Sequence, residues 1–276
     1  MNKLEDMGTV ITTDVLVLGA GGAGMCAALK ASESNVDVLM VDKCGIGWNG
    51  QVPIGGGILA YVYPDYVKEW TEKVTRGSGF FNNQDWTQIM GEYMHRSMMD
   101  LVDMGLTFLK KDGEIDILTW GPNIHVTLFD APKSLVALKK TAKSRAIRMM
   151  DKIYAIDLLK RDGKVVGAVG LGLVDGKTYI FNAKATIIAT GNCGYMHEKT
   201  YSSVLGEGPA MGFRAGAQLV NAEFNSSYVW GIKVLGKELM GIHFYLYLEN
   251  AAGEKIMGKH YPELMVGSHA VYTFDP

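Results

Sequence analysis

The feature that most constrains this chain is the run from Asp14 to Gly24, which reads DVLVL followed at once by GAGGAG. The VLVL segment is short, apolar and valine-rich. Such a run predicts a strand buried on both faces, as in a parallel sheet. The next residues, MCAALKASES, are small or apolar and predict a helix packed closely on that sheet. Val36 to Val41 (VDVLMV) predicts a second strand ending at Asp42, which completes a βαβ unit.

Glycines at this junction have a chemical use. The first N–H groups of a helix have no partner within the helix, and its dipole favours negative charge there. A diphosphate can occupy that position if no side chain intervenes. In the pattern Gly19-x-Gly21-x-x-Gly24, Gly19 permits the tight turn and Gly21 clears the phosphate path. Gly24 allows close helix–strand packing. Ala20, Gly22 and Ala23 complete the loop and count with these glycines as cofactor-binding candidates. Asp42 lies eighteen residues after Gly24, near the spacing expected for a carboxylate that binds ribose hydroxyls. An acid there disfavours a 2′-phosphate and hence NADP, but leaves NAD and FAD open.

Composition excludes other classes. A formal net charge of -2 gives no basic face for nucleic acid. The three cysteines, Cys26, Cys44 and Cys193, form no CxxC pair and fit a reducing, cytoplasmic compartment better than secretion. The polar, acidic N-terminus does not read as a secretory signal, and no window predicts a transmembrane segment. The six histidines show no close metal-ligand spacing, so no metal is expected. His95 reads as structural or solvent-facing, while His243 and His260 are candidates to line a substrate site.

The remaining periodicity predicts a loop from Gly45 to Gly57, then helices over Tyr66–Val74, Asp85–Met104 and Ala131–Met150. The basic residues of the third helix (Lys139, Lys140, Lys143, Arg145 and Arg148) are expected on a solvated face. A β-meander follows, with strands at Ile153–Leu159, Val165–Leu173 and Thr178–Phe181. Ala185–Ala189 reads as a further buried strand running into Thr190-Gly191, and Gly206–Val220 as a glycine-led helix. Beyond Glu223 the pattern weakens, with strand-like HFYLYLEN and AVYTF. The fold class expected is α/β: a Rossmann-like FAD/NAD(P)-binding domain with a parallel sheet and a β-meander insertion, over residues 1–224. Residues 225–276 would begin a capping domain.

The order GAGGAG, VDK, a GGG loop, a meander, ATIIATG and GEGPAMGFRAGAQLVNAEF resembles the flavoprotein subunits of the fumarate reductase and succinate dehydrogenase family. That group includes L-aspartate oxidase and the adenylylsulfate reductase flavoprotein. The resemblance implies FAD, with Lys43, Asn49, Gly50, Gln51, Gly56 and Gly57 wrapping the cofactor after the second strand. Ile153 and Tyr154 match the place where the family's backbone contacts adenine. Ala189, Thr190 and Gly191 follow the later strand. Glu207 stands where the family's GDG carries an acid near the flavin side. LENAAGEKIMGKHYPE resembles the family's stretch ending in N-x-x-G-E-R-F-M.

The departures are informative. Several respiratory members bond FAD to a histidine at a place that falls near Gly50 here, and this chain has none there. Non-covalent FAD follows. Tyr228 falls near the histidine of the family's histidine-proline-threonine-glycine motif, and Gly241–Tyr245 replaces its RGEGG stretch. These changes argue against succinate or fumarate as substrate. The family's second half, including a catalytic arginine, has no counterpart, so the chain is expected to be the first half of a longer flavoprotein. The reading is an FAD-dependent oxidoreductase acting on a small organic substrate, with an iron–sulfur or ferredoxin-like electron partner and no assigned catalytic acid. The alternatives are an electron-transfer FAD-binding subunit completed by another chain, and an NAD-dependent dehydrogenase.

Overall fold

The computed structural model describes residues 7–54, 57–119, 125–193, 205–220, 222, 231–234 and 237–240. In chain order these form β1 (Thr9–Leu18), α1 (Gly22–Ser32), β2 (Val38–Val41), β3 (Ile58–Tyr61), α2 (Val67–Gly77) and α3 (Gln84–Asp103). Next come β4 (Lys110–Lys111), β5 (Glu114–Ile115), β6 (Leu118–Thr119), β7 (His125–Leu128) and α4 (Ala131–Ser144). The rest are β8 (Arg148–Met150), β9 (Ile153–Arg161), β10 (Lys164–Gly172), β11 (Thr178–Ile188), α5 (Glu207–Ala215), β12 (Gly231–Val234) and β13 (Lys237–Met240).

Two compact units emerge. The first is drawn from Met1–Gly57, Asp103–Thr107 and Asp130–Tyr228. Its six-stranded sheet has the order β8-β2-β1-β11-β10-β9. The strands β8, β2, β1 and β11 pair in parallel, whereas β11, β10 and β9 form the antiparallel meander. The expected α/β class with both sheet types is therefore present, and β11 belongs to both parts. Alternating side chains build the core on one face: Leu16 and Leu18 of β1, Leu39 and Val41 of β2, and Phe181 and Ala183 of β11. Met211 of α5 packs into this cluster. Helix α1 lies against β1 and β2, burying Met25, Ala28 and Leu29, and α4 packs beside it.

Several boundaries differ from the sequence reading. Strand β1 begins at Thr9 rather than Asp14, because Thr9 to Thr13 pair with Tyr179 to Ala183 of β11. The two segments expected at Thr178–Phe181 and Ala185–Ala189 are one strand, and its end is half-exposed rather than buried, with Ile188 38% exposed. The third helix stops at Ser144, not Met150. Ala146 then takes a left-handed φ of 56°, and Arg148–Met150 pairs with β2 as an edge strand. Of the basic residues expected on a solvated face, Lys140, Lys143, Arg145 and Arg148 are exposed and Lys139 is half-buried, and three of the five also hold backbone or acidic partners. Lys139 donates to the Ile46 carbonyl at 2.6 Å, Arg145 to the Leu29 carbonyl at 3.2 Å, and Arg148 pairs with Asp37 at 2.6 Å.

The second unit is drawn from Ile58–Val102, Phe108–Phe129 and Val229–Pro276. It contains α2, most of α3 and a small antiparallel sheet in the order β3-β7-β6. His95 of α3 shares a 2.8 Å hydrogen bond between its Nδ1 and the Tyr61 hydroxyl, which supports its structural reading. The 224/225 boundary, His243, His260, Tyr228 and the HFYLYLEN and AVYTF segments lie outside the described residues.

Candidate functional site

The glycine turn is built as its spacing requires. Gly19 has φ +99°, and a Cβ there would stand 2.5 Å from the Ala189 carbonyl oxygen. At Gly24 a Cβ would meet the Gly19 carbonyl oxygen at 1.9 Å, so α1 can sit on the end of β1 only without a side chain at that position. Gly21 differs: a Cβ there would have nothing within 4 Å. Its open side faces a cleft of about 430 Å³ within the first unit. Gly21 is the N-cap of α1, no side chain caps the helix, and no acid occupies its first turn. The N-terminal N–H groups and the dipole are thus left for a ligand.

Asp42 closes the end of β2. It is 6% exposed, its Oδ2 accepts the Ala20 N–H and its Oδ1 the Cys44 N–H, both at 2.6 Å. These charge-assisted bonds lock the glycine turn to the loop after β2. Each carboxylate oxygen keeps a lone pair that a hydroxyl could use. The backbone of the β8–β9 connection braces the same place: the Ile153 N–H donates to the Asp42 carbonyl at 2.8 Å, and the Lys152 N–H to the Cys44 carbonyl at 3.3 Å.

Lys43 pairs with Glu207, the first residue of α5. Its ammonium also lies 5.9 Å from the centroid of the Tyr154 ring. Lys43 thus stands between the start of α5 and the start of β9. Helix α5 is tied down at its far end too. Arg214 bonds Asp157 of β9 at 3.0 Å, and its guanidinium holds the Asp157 carboxyl below the usual carboxylate range.

Of the residues singled out in the sequence, Gly19, Gly21, Gly22, Ala23, Asp42, Lys43, Asn49, Gly50, Gln51, Ile153, Ala189, Thr190, Gly191 and Glu207 line this cleft. Ala20, Gly24, Gly57 and Tyr154 are not among its lining residues. Ala20 is fully buried, with its N–H on Asp42, and Gly24 sits in the helix–turn contact. Gly56 lies outside the described residues. The cleft also draws on Cys44, Val52, Ala155 and Ile188. Period-2 alternation from Ile153 was a signal for Ala155. Val52 sits on a single 3₁₀ turn, Val52–Ile54, against Gly22, a contact with no local sequence signal.

Two polar atoms in the lining, Asn49 Oδ1 and Thr190 Oγ1, are buried without a hydrogen-bond partner among the described residues, as are the Thr71, Thr127 and Thr186 hydroxyls outside the cleft. Buried polar atoms ordinarily find a partner, and for the two that line the cleft a polar ligand can supply one. With the uncapped helix and the open side of Gly21, they fit a dinucleotide diphosphate.

A family model described as an FAD binding domain matches residues 14–254. The chain belongs to the FAD-binding domain family. FAD, rather than NAD, is its cofactor. Members of the family resemble it over most of its length. A fumarate reductase (CoM/CoB) polypeptide of Methanothermobacter marburgensis is 29% identical over 286 residues, covering 94% of this chain and 52% of that protein. The fumarate reductase flavoprotein subunit of Mycobacterium tuberculosis is 29% identical over 235 residues, covering 81% and 40%. Among solved structures, Mycobacterium smegmatis Sdh1 in complex with UQ1 matches at TM-score 0.74 and 25% identity, over 90% of this chain and 47% of that one. The E. coli quinol fumarate reductase matches at TM-score 0.67 and 25% identity, over 75% and 37%. The chain spans about half the length of the curated relatives it matches.

Proposed function

We propose that this chain forms the FAD-binding part of a flavin-dependent oxidoreductase acting on a small organic substrate. The carrying observation is the cleft at the N-terminus of α1, where the open side of Gly21 meets the unpartnered Asn49 and Thr190 oxygens. In this reading the first N–H groups of α1 hold the diphosphate and Asp42 receives the ribose hydroxyls. Ile153 and Ala155 border the adenine, while Asn49, Gly50 and Gln51 cover the cofactor from the loop after β2. Bound FAD supplies hydride and electron transfer; the protein binds it and shapes its surroundings. The sequence Trp48-Asn49-Gly50-Gln51 carries no histidine where relatives attach the cofactor, and attachment is read as non-covalent on that ground.

The substrate belongs with parts of the enzyme beyond this cleft, and the changed histidine-proline-threonine-glycine region argues for a substrate other than succinate or fumarate. An iron–sulfur or ferredoxin-like protein is the electron partner in this proposal. Cys26, Cys44 and Cys193 form no disulfide with one another, which supports a reducing, cytoplasmic setting. No described helix is long and apolar enough to cross a membrane.

The test begins with the purified protein's absorbance. Bands near about 370 and 450 nm, typical of flavins, are expected. The flavin is then reduced anaerobically and offered, in separate reactions, an oxidised ferredoxin and each of a panel of unsaturated and oxidised organic acids. Re-oxidation by one member supports the oxidoreductase reading. A flavin that exchanges electrons only with the protein partner, and with no organic acid, refutes it in favour of an electron-transfer role.

A further inference from the structure

Lys43 immediately follows the acid at the end of β2 and lines the diphosphate cleft, a place where a lysine is ordinarily read as counter-charge to phosphate. Its surroundings say otherwise. The ammonium is in direct contact with the Glu207 carboxylate, and the two side chains are only 18% and 8% exposed. The other Glu207 oxygen accepts the Leu205 N–H at 3.2 Å. On its remaining side the ammonium lies near the Tyr154 ring. One cation thus joins three segments: the end of β2, the start of β9 and the N-terminus of α5.

We propose that Lys43 is a positioning residue. Its charge neutralises Glu207 and clamps the start of α5 and the start of β9 to the end of β2 beside the cleft, so the pair presents no net charge to the diphosphate. The inference rests on the FAD reading above. An ammonium moved away to reach a phosphate would strand a carboxylate that is 92% buried, and a buried charge without its partner is strongly unfavourable. Glu207 also sits in the first turn of α5, where the helix dipole favours an anion but offers no second cation. The diphosphate is then held chiefly by backbone N–H groups at α1.

The roles separate in a mutant cycle. FAD and ADP are titrated onto the full chain, its Lys43→Met and Glu207→Gln variants and the double variant, at several salt concentrations. A clamp predicts that Lys43→Met weakens both ligands at least about tenfold, because an uncompensated carboxylate then faces the phosphates. Adding Glu207→Gln should recover most of that loss, and the salt dependence of FAD affinity should match between parent and double variant. If Lys43 is instead a phosphate counter-charge, the double variant stays as weak as Lys43→Met and its salt slope falls by about one. That outcome overturns the proposal. Should Lys43→Met fail to fold, the charge-exchanged pair Lys43→Glu with Glu207→Lys decides. A clamp keeps FAD affinity within about tenfold, whereas a phosphate contact loses far more when a carboxylate takes its place. A parent chain that binds neither FAD nor ADP overturns the flavin reading, and this inference with it.

Discussion

Replacing Gly24 with alanine should damage both folding and cofactor binding, and the geometry sets the scale. The new Cβ would stand 1.9 Å from the Gly19 carbonyl oxygen and 2.9 Å from its carbon. Both atoms are backbone, so no rotamer change relieves the contact. Ordinary packing requires about 3.5 Å, so α1 must retreat by more than about 1 Å. Overpacking of this kind costs about 3 kcal/mol, and alanine's better helix propensity returns about 1 kcal/mol. A net loss of about 2 kcal/mol lowers the Tm of a chain this size by about 4–8 °C. The retreat also carries the helix N-terminus away from the diphosphate. The contrasting variant is Gly21→Ala. Gly21 has φ −69°, which alanine adopts freely, and its Cβ would have nothing within 4 Å among the described residues. Its melting temperature should stay close to the parent's, while FAD binding weakens at least about tenfold, or 1.4 kcal/mol, because the methyl enters the cleft. Thermal melts of the cofactor-free proteins followed by circular dichroism, with FAD titration by fluorescence quenching, give both quantities. The reasoning fails if Gly24→Ala melts with the parent, or if Gly21→Ala loses stability and keeps its FAD affinity.

Three further outcomes are expected. Asp42→Ala leaves the Ala20 and Cys44 N–H groups without their carboxylate and should lower stability by about 3 kcal/mol in urea unfolding, with Asp42→Asn milder because one acceptor remains. Arg214→Ala should cost no more than about 1 kcal/mol near neutral pH, since the Asp157 pair is half-exposed. The folded-state pKa of Asp157 is depressed, so this contribution is complete above the unfolded carboxylate value and disappears as pH falls through the lower folded value. Parent and variant should therefore converge in urea midpoints as pH falls below the ordinary carboxylate range, and a gap that persists there would point to another cause. Acid precipitation should release all FAD into the supernatant, read by its fluorescence; yellow colour retained in the pellet would contradict non-covalent binding.

Much of the cofactor site was legible because its demands are local. A diphosphate at a helix N-terminus needs glycines at set offsets, and Gly19, Gly21 and Gly24 declare them within six residues. The meander was visible through its Asp-Gly turns, Asp162-Gly163 and Asp175-Gly176. Other features depend on partners remote in sequence. Arg148–Met150 continues a helical pattern, and only its pairing with β2 makes it a strand. Thr9 to Thr13 fell within the polar N-terminus and outside the expected strand, and only β11 provides its partner. The basic residues of α4 appeared to be a solvated face, although Lys139 reaches a loop carbonyl 93 positions away.

The sequence by itself determined the βαβ unit, the position of the glycine turn and the acid after β2, since each follows from local spacing. Only the tertiary structure decided what those groups do to one another. It placed Asp42 on the Ala20 and Cys44 N–H groups, and set Glu207 against Lys43 across 164 positions of chain. It also left the Asn49 and Thr190 oxygens buried without partners. The physical reason is that spacing along a helix or strand reports which face a residue occupies. Charge pairing and desolvation depend on which distant segment closes over that face.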